Sequence, residues 1–361
     1  MKVEIEQLQI GCITTKNIEG LTIFPIIKAN TVLTEEHLTV LKAFMVESVE
    51  VKSVLANGEK FEPSPKMIEV RDQDVEKEET SDFVYLYLKA VRKYKKHFMS
   101  WQMGKPVDLF AIGDIFIPLF ERIIKSPNHL LDLHHYCSKE DYLFHHSVYV
   151  SILSAYLGWR LQYATSDWYQ IGLIGALADA GMAKVSPTIL NKSGSLTAVE
   201  YDEVKKHPIY SYKMLKGVTG ATDIMQLAVL QHHERYDGSG YPIGSKAKKI
   251  HMFSQLVAVA DVYHAMSSER YYRSKRSPYQ VLEEISKEQF GKFEIRAVEV
   301  LMQSLIHVSI GNKVRLTSGE MAKIIFFDQH TPTRPMVKLL DTGRIIQLTH
   351  EPNLHIEEII L

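Results

Sequence analysis

The feature that most constrains the fold is a helical spacing of apolar residues, which runs almost unbroken from Ser138 to about Val308. Apolar residues recur every three to four positions, as on the buried faces of packed helices. The main interruption is a Gly-rich loop from Asp237 to Gly244. A chain with this pattern is expected to fold as a helical bundle rather than around a sheet.

The segments on either side of this stretch differ from it. Residues 1–60 mix short β-like runs with one helix-like stretch, which predicts a small N-terminal α+β module. Residues 61–81 are rich in charge and proline and predict a linker, and 82–137 predict connecting helices. Residues 309–361 hold short β-branched runs between turn residues and predict a small antiparallel β appendage. The predicted fold class is mainly α, with the helical domain at 138–308.

The composition excludes several classes of protein. Lys and Arg number 42 and Asp and Glu 43, so the formal net charge of −1 argues against a binder of nucleic acid polymers or membranes. No apolar run approaches the roughly 18 residues that span a bilayer, and the charged start MKVEIEQLQIGC is unlike a signal peptide. The two cysteines, Cys12 and Cys137, encode no disulfide framework. We expect a soluble, cytoplasmic protein.

Residues of the types that bind metal ions are concentrated in short segments of the helical middle. Helices can bring such residues together in a bundle core, although a single histidine is more often solvated or hydrogen-bonded. Mixed imidazole and carboxylate donors suit Fe, Mn, Zn, Ni or Co without distinguishing among them. A carboxylate that bridges two ions, flanked by imidazoles, is a common basis of a hydrolytic site. The candidates are His145, His146, Asp179, His207, His232, His233 and Asp261.

The sequence HHERYDGSGYP at 232–242 is similar to the signature of the HD-GYP family of metal-dependent phosphodiesterases. The similarity continues through VAVADVYHAMSSERYYR at 257–273 and SPTILNKSGSLTAVEYDEVKKHP at 186–208, and covers 138–308. The segment after 311 also resembles the β appendage that often follows this domain. The resemblance implies an HD-superfamily helical bundle and an activity that opens cyclic di-GMP or a related cyclic dinucleotide.

The resemblance also implies the metal ligands. Asp179 matches the bridging aspartate of the HD pair and is the implied catalytic residue. One site is completed with Asp179 by His207, His232 and His233. The other site is completed with Asp179 by His146 and Asp261. The implied cofactor is a divalent transition metal, one or two ions, with Fe, Mn and Zn not distinguished.

The substrate contacts implied by the resemblance lie on the GYP loop and after the second aspartate motif. Tyr241, Arg270 and Arg273 match positions that hold phosphate or base in relatives. A guanidinium can bind a phosphate through two parallel hydrogen bonds, so both arginines are candidate anion contacts.

Four positions depart from the family pattern. Ala178 stands in place of the HD histidine, and Met182 in place of a phosphate-contacting lysine. His264 replaces the aspartate of VADVYD, and Tyr142 replaces a carboxylate of three-metal members, so a third ion is not expected. Even changes to residues that only support a ligand commonly cost about 10–100-fold in metal affinity. The loss at 178 is therefore expected to weaken the site formed by His146, Asp179 and Asp261.

Two hypotheses of different classes follow. The retained HHE…GYP segment, Asp179 and Asp261 favour an active phosphodiesterase that opens a cyclic dinucleotide. Ala178, Met182 and His264 favour a degenerate relative that binds a nucleotide, or a signalling protein partner, and has lost most or all of its hydrolysis. We favour the second hypothesis, because Ala178 and Met182 both remove groups of the HD motif that would support hydrolysis.

Two further expectations concern the surface. His145 points about 100° away from His146 on a helix and is predicted to be a surface residue. The helices at 82–133 carry more apolar residues than the small N-terminal module needs to cover, which predicts an exposed apolar face and a homodimer. The apolar residues are Phe83, Val84, Leu86, Leu88, Trp101, Leu109 and Phe110.

Overall fold

The computed structural model describes residues 1–19, 25–34, 37, 38, 41, 46, 48–58, 60, 61, 74–137, 141–192, 194–268, 277–288, 291–307, 309–328 and 331–360. These residues form two compact units, Met1–Arg92 and Lys93–Leu361. Helices make up 52% of the structure, which confirms the mainly α fold class. No helix in the described ranges is long and apolar enough to cross a bilayer.

The first unit contains two small antiparallel pairs of strands, as expected of an α+β module. Strand β1 (Lys2–Glu4) pairs with β4 (Ser48–Glu50), and β2 (Ile18–Glu19) pairs with β3 (Pro25–Ile27). Their apolar side chains share a small core with Cys12, Leu33, Leu41, Val51 and Phe61. Most of the helix-like stretch predicted at 34–44 lies outside the described residues.

Helix α1 (Asp74–Gln102) begins earlier than the sequence predicts. Its first turns fall inside the predicted linker, 61–81, of which residues 62–73 lie outside the described part of the chain. The division into domains otherwise stays a prediction.

The second unit is a helical bundle followed by a sheet. The residues described between 141 and 230 contain no strand, in agreement with the predicted HD-superfamily bundle. Its helices are α2 (Leu109–Ile123), α3 (His129–Asp132), α4 (Tyr142–Arg160), α5 (Thr165–Leu177), α6 (Pro187–Leu190), α7 (Ala198–Val204), α8 (His207–Leu215), α9 (Asp223–Gln231), α10 (Met252–Ser267), α11 (Pro278–Glu288) and α12 (Ile295–His307).

Helix α4 lies at the centre of this bundle, with every residue from His145 to Gly158 buried. Small residues let α5 approach it closely. A Cβ on Gly175 would lie 2.9 Å from the Cα of Ser151, and the Ser151 hydroxyl donates to the Gly172 carbonyl at 2.8 Å. This contact fixes the end of α5, where Asp179 follows, relative to His146 on α4.

The C-terminal strands form one antiparallel sheet, as predicted for the β appendage. The strands are β5 (Lys313–Leu316), β6 (Met321–Phe326), β7 (Met336–Leu339), β8 (Ile345–Gln347) and β9 (Ile356–Ile360), in the spatial order β8-β7-β6-β5-β9. Alternate residues face one side, so that Val314, Ala322 and Val337 are fully buried. The sheet therefore has one apolar and one polar face.

The apolar face predicted at 82–133 is largely absent from the surface, which corrects that expectation. Phe83, Val84, Leu88, Trp101 and Leu109 are buried, whereas Phe110 is 70% exposed. The reason for the burial of Trp101 and Leu109 is that α2 and the part of α1 that follows Arg92 contribute to the core of the bundle. The Tyr94 ring of α1 lies 5.6 Å from that of Trp101, and its hydroxyl donates to the Ala176 carbonyl at 2.7 Å. The homodimer stays a prediction without this support.

Candidate metal centre

Four of the predicted ligands converge in the core of the bundle. Asp179 follows α5, His207 opens α8, and His232 and His233 directly follow α9. Their candidate ligand atoms all lie within 4.8 Å of one another. Segments that are distant in the sequence therefore place one carboxylate and three imidazoles at a single point, which could hold a metal ion.

The hydrogen bonds of two of these imidazoles fix the nitrogen that faces the cluster. His207 Nδ1 donates to the Val204 carbonyl and His232 Nδ1 to the Val229 carbonyl, each at 2.7 Å. A carbonyl can only accept, so in the neutral form of each ring the proton lies on Nδ1 and a lone pair remains on Nε2. This is the arrangement common to histidines that bind metals through Nε2.

The lone pairs face one another. The two Nε2 atoms of His207 and His232 are 3.1 Å apart, and they lie 3.1 and 3.7 Å from Asp179 Oδ1. With both rings in their neutral form, these three buried atoms are all electron-rich and repel one another unless a cation lies among them. The donor set thus fits the divalent ion that the resemblance implies.

The carboxylate of Asp179 also faces a second group of ligands. Its Oδ2 lies 3.5 Å from His146 Nε2, which in turn lies 2.9 Å from Asp261 Oδ1. Asp261 Oδ2 is 3.6 Å from His233 Nδ1. One oxygen of Asp179 therefore points to each half of the site, which is the orientation of a bridging carboxylate.

The surroundings of Asp179, Asp261 and His233 favour the protonation states that bind metal ions, which are the ionised carboxylate and the neutral imidazole. Burial raises the pKa of Asp179, but the hydrogen bonds that His207 and His232 donate to it when they are protonated outweigh burial and hold this pKa well below its ordinary value, and a cation bound in place of those protons would act in the same direction. The pKa of Asp261 is lowered in the same way, with His146 overcoming the effect of burial. Burial and the neighbouring His232 lower the pKa of His233 well below its usual range, so its ring is neutral.

A serine joins the turn that carries Asp179 to the helix that carries His207. The Ser211 hydroxyl donates to the Ala178 carbonyl at 2.6 Å and accepts from the Gly181 amide at 2.8 Å. Gly181 is needed for this contact, because a Cβ there would lie 2.1 Å from the His207 carbonyl oxygen. The close approach sets the separation of Asp179 from His207.

A buried glutamate organises the GYP loop. Glu234 is fully buried, and its carboxylate accepts from three successive backbone amides. The donors lie at 2.8, 3.2 and 2.9 Å and belong to Ile243, Gly244 and Ser245. Hydrogen bonds to a charged acceptor are among the stronger ones in proteins, so this carboxylate fixes the path of the loop.

The loop places Tyr241 beside the metal ligands. Its ring lies 4.7 Å from the His233 ring, and Gly240 passes so close to the backbone that a Cβ would lie 2.4 Å from the His233 carbonyl oxygen. Burial, followed by the charges of Asp261 and Asp179, raises the pKa of Tyr241. Its hydroxyl therefore remains a hydrogen-bond donor.

Comparisons with known proteins agree with this geometry. A family model described as an HD domain matches residues 117–294. The cyclic di-GMP phosphodiesterase PA4108 of Pseudomonas aeruginosa is 29% identical over 68% of this chain, and the 3'3'-cGAMP-specific phosphodiesterase 1 of Vibrio cholerae is 30% identical over 46% of it. Over these regions the chain is similar to HD-GYP phosphodiesterases. The matched regions span 59% and 39% of those two relatives.

A solved structure shares the fold of this chain. Bd1817, a HDG"Y"P protein from Bdellovibrio bacteriovorus, superposes with a TM-score of 0.50 at 13% identity. The alignment covers 83% of this chain and 97% of that one. At this identity the likeness concerns the fold alone.

The positions that depart from the HD-GYP pattern lie at the edge of the cluster. Ala178 is buried directly beside Asp179, and Met182 is half-buried in the turn that follows. Lys184 does not take the place of the missing lysine, because its Nζ donates to the Trp101 carbonyl at 2.8 Å. Arg270 and Arg273 lie outside the described residues, so their roles stay predictions.

His145 corrects another expectation. It is 5% exposed rather than a surface residue, and burial lowers its pKa to about 4. Helix α4 is apolar on almost every side, and such a helix is surrounded by the protein. The ring of His145 is thus held neutral in the bundle but away from the cluster.

The sequence reasoning missed three residues that support the site. Glu234 stands inside the HHE segment, directly before the Gly-rich loop. A carboxylate at that position could have been predicted to accept hydrogen bonds from the backbone amides of the loop. Ser211 carried no such signal, because its partners are two backbone atoms from a distant turn. His264 was noted only as a departure, yet it lies against His146 at 3.0 Å.

Proposed function

We propose that this chain binds a cyclic dinucleotide at a metal centre and hydrolyses it slowly or not at all. The observation that carries the proposal is the contrast between the two halves of the site. One half has four converging donors, with the tautomers of His207 and His232 set by backbone carbonyls, whereas the other has Ala178 where the family has a histidine. The relatives' names supply the ligand class, cyclic di-GMP or 3'3'-cGAMP.

The proposed ligands of the first ion are Asp179, His207, His232 and His233. His146 and Asp261 would hold a second ion together with the other oxygen of Asp179. Such ions, when bound, contact the phosphodiester as Lewis acids and lower the pKa of a bound water. With Ala178 the second ion has fewer protein ligands, which is the proposed cause of slow hydrolysis.

The remaining residues act on the substrate. Tyr241 keeps its hydroxyl proton and is placed to donate a hydrogen bond to a phosphate or base beside His233. Arg270 and Arg273 would bind phosphate through their guanidinium groups. Met182 offers no charge where the family has an ammonium. Binding is therefore expected to survive better than turnover, because charge stabilisation in the transition state is what is missing.

An active phosphodiesterase is the second candidate, and one observation favours it. His146 Nε2 lies 2.9 Å from Asp261 and 3.5 Å from Asp179, so the second group of ligands is assembled without a histidine at 178. In either case we infer a role in nucleotide-linked signalling in the cytoplasm, with a signalling protein as a possible partner and a homodimer as a possible assembly.

The proposal is tested with the full chain in Mn²⁺-supplemented buffer. Cyclic di-GMP binding is measured by calorimetry and the linear product by chromatography. We expect the parent to bind but to form little product, and the double variant Ala178→His with Met182→Lys to gain turnover. Met182→Leu, which keeps the apolar bulk, is the control and should gain none.

The metal ligands are tested separately by elemental analysis. The double variant His232→Ala with His233→Ala should lose the bound metal, and an unchanged metal content would refute the proposed ligand set. Robust hydrolysis by the parent would instead establish the second candidate. Absence of cyclic di-GMP binding by the metal-loaded parent would refute both.

A further inference from the structure

The outward face of the C-terminal sheet carries a row of three lysines, one on each of its three central strands. Strand pairing places Lys313 of β5 directly opposite Lys323 of β6, and Lys323 directly opposite Lys338 of β7. All three are exposed, whereas the next residue along each strand is buried on the other face. Side chains in such pairs have Cβ atoms about 5 Å apart, so the three residues form one continuous lysine row.

The lysine row is unfavourable for the sheet by itself. Like charges directly opposite each other on neighbouring strands repel and destabilise the pair. None of the three ammonium groups pairs with an acidic side chain of the described residues. Arg315, on the same strand as Lys313, is in contrast ion-paired with both Glu357 and Glu358. The row is therefore a concentration of uncompensated positive charge, which an anion from outside the chain would stabilise.

Apolar side chains border the lysine row on the same face of the sheet. At its two ends, strand pairing places Ile360 opposite Lys313 and Ile345 opposite Lys338. The neighbouring rows of the same face add four more apolar residues, which are Met321, Phe326, Met336 and Leu340. Phe326 and Ile345 are 57% and 56% exposed. The face thus has a cationic centre and an apolar border.

This order of charge and apolar surface distinguishes among the possible partners. Protein interfaces have an apolar centre that is depleted of lysine and a polar rim, which is the reverse of this face. A nucleic acid would neutralise the lysines with its phosphates but would leave the apolar border without a partner. The surface of an anionic bilayer offers both, because lysine stems lie along apolar surface while their ammonium groups reach the lipid head groups.

We propose that this face of the C-terminal sheet is a docking surface for an anionic lipid bilayer. The lysine row contacts the head groups, and the bordering apolar side chains enter the interfacial region. The formal net charge of −1 argues against membrane binding by the chain as a whole, but it does not register the segregation of three lysines on one face. That segregation arises from the strand register, which brings together lysines that are distant in the sequence.

The proposal is tested by sedimentation of the full chain with lipid vesicles. One set of vesicles contains equal parts of phosphatidylglycerol and phosphatidylcholine, and the other contains phosphatidylcholine alone. We expect binding to the anionic set only, and weaker binding at high salt, because salt screens the attraction between exposed charges. A lysine close to an anionic surface contributes about 5-fold in affinity, so the triple variant Lys313→Gln, Lys323→Gln and Lys338→Gln should bind roughly 100-fold more weakly.

A matched variant separates the lysine row from a general effect of charge. The control replaces by glutamine three exposed lysines outside the sheet, which are Lys105, Lys213 and Lys216. It removes the same formal charge and should bind the anionic vesicles as the parent does. The lysine-row variant should keep or raise the Tm of the parent, because it removes the repulsion between opposite lysines. A loss of vesicle binding at an unchanged Tm is then not a folding defect.

A fluorescence measurement identifies the face that meets the bilayer. Brominated acyl chains quench the fluorescence of an indole that lies close to them. The background is recorded with the parent, whose tryptophans are Trp101, Trp159 and Trp168. With brominated anionic vesicles, Phe326→Trp should add a quenched component. Phe110→Trp, at a residue of α2 that is 70% exposed, should add an unquenched one.

The results that would overturn the proposal are distinct from those that support it. No binding of the parent to the anionic vesicles, an equal loss of binding in the control variant, or no quenching of Phe326→Trp would each refute it. Binding of poly(dT) or polyglutamate without binding of vesicles would assign the face to a nucleic acid or to an acidic protein instead. If the lysine-row variant does not fold, the salt dependence of the parent and the quenching of Phe326→Trp decide the proposal.

Discussion

Replacing Gly181 by alanine should separate the two segments that form the metal centre. The added Cβ would lie 2.1 Å from the His207 carbonyl oxygen and 2.5 Å from the Ser211 amide nitrogen. Side-chain carbons essentially never approach a backbone atom within 3.0 Å, so the turn and α8 must move apart by about 0.9 Å. Neither neighbour is the flexible end of a side chain, and the strain cannot be relieved locally.

The expected effects follow from that displacement. Overpacking of a buried contact costs about 1–3 kcal/mol of stability, which for a chain of this size lowers Tm by several degrees. The 3.1 Å separation of Asp179 Oδ1 and His207 Nε2 would grow toward 4 Å. Metal sites tolerate only about 0.2 Å of error in ligand distance, so Zn²⁺ affinity should fall at least about 10-fold.

The assay compares Tm and Zn²⁺ binding of Gly181→Ala with those of Gly113→Ala. Gly113 lies inside α2, where an added Cβ would come no closer than 3.6 Å to another side chain. Alanine is favoured there by about 0.5–1 kcal/mol, so this control should be as stable as the parent or more so. A Gly181→Ala protein with the Tm and Zn²⁺ affinity of the parent would refute the argument from close approach.

Three further predictions test two residues that support the site and one buried histidine. Ser211→Ala leaves a buried carbonyl and a buried amide without their partner and should cost about 1–3 kcal/mol in urea unfolding; a cost near zero would contradict the contact. Glu234→Gln should cost a similar amount and weaken cyclic di-GMP binding while Zn²⁺ binding persists, as calorimetry can check. For His145 the folded pKa of about 4 lies below the unfolded value of about 6.5, so the unfolded chain binds more protons and stability falls as the pH drops through that window. Unfolding at pH 7 and pH 5 should show about 2 kcal/mol more loss in the parent than in His145→Gln.

The mainly helical fold could be predicted because helical periodicity is local. Residues close together in the chain carry the apolar spacing of α4, α5 and α10. The same is true of the turn residues between the C-terminal strands. The same locality explains why α1 begins inside the predicted linker, since a charged segment is compatible both with a linker and with a helix. The burial of His145 was predictable in principle, because α4 is apolar on nearly every side.

The metal centre was predicted as a set of residue types, and its geometry required the folded chain. The spacing of His207, His232 and His233 indicated which residues to expect, but not that two Nε2 atoms would lie 3.1 Å apart. That separation depends on the close contact at Gly181, and the loop beside it depends on the carboxylate of Glu234.

The sequence by itself therefore determined the helical class, the β appendage and the candidate ligands, since each is carried by residues close together or by a recognisable motif. Only the tertiary structure decided which oxygen of Asp179 faces which imidazole, and that His264 lies against His146. Those relations join atoms more than 100 positions apart in the chain for His146 and His264. Their distances are set by packing between helices, which no local pattern encodes.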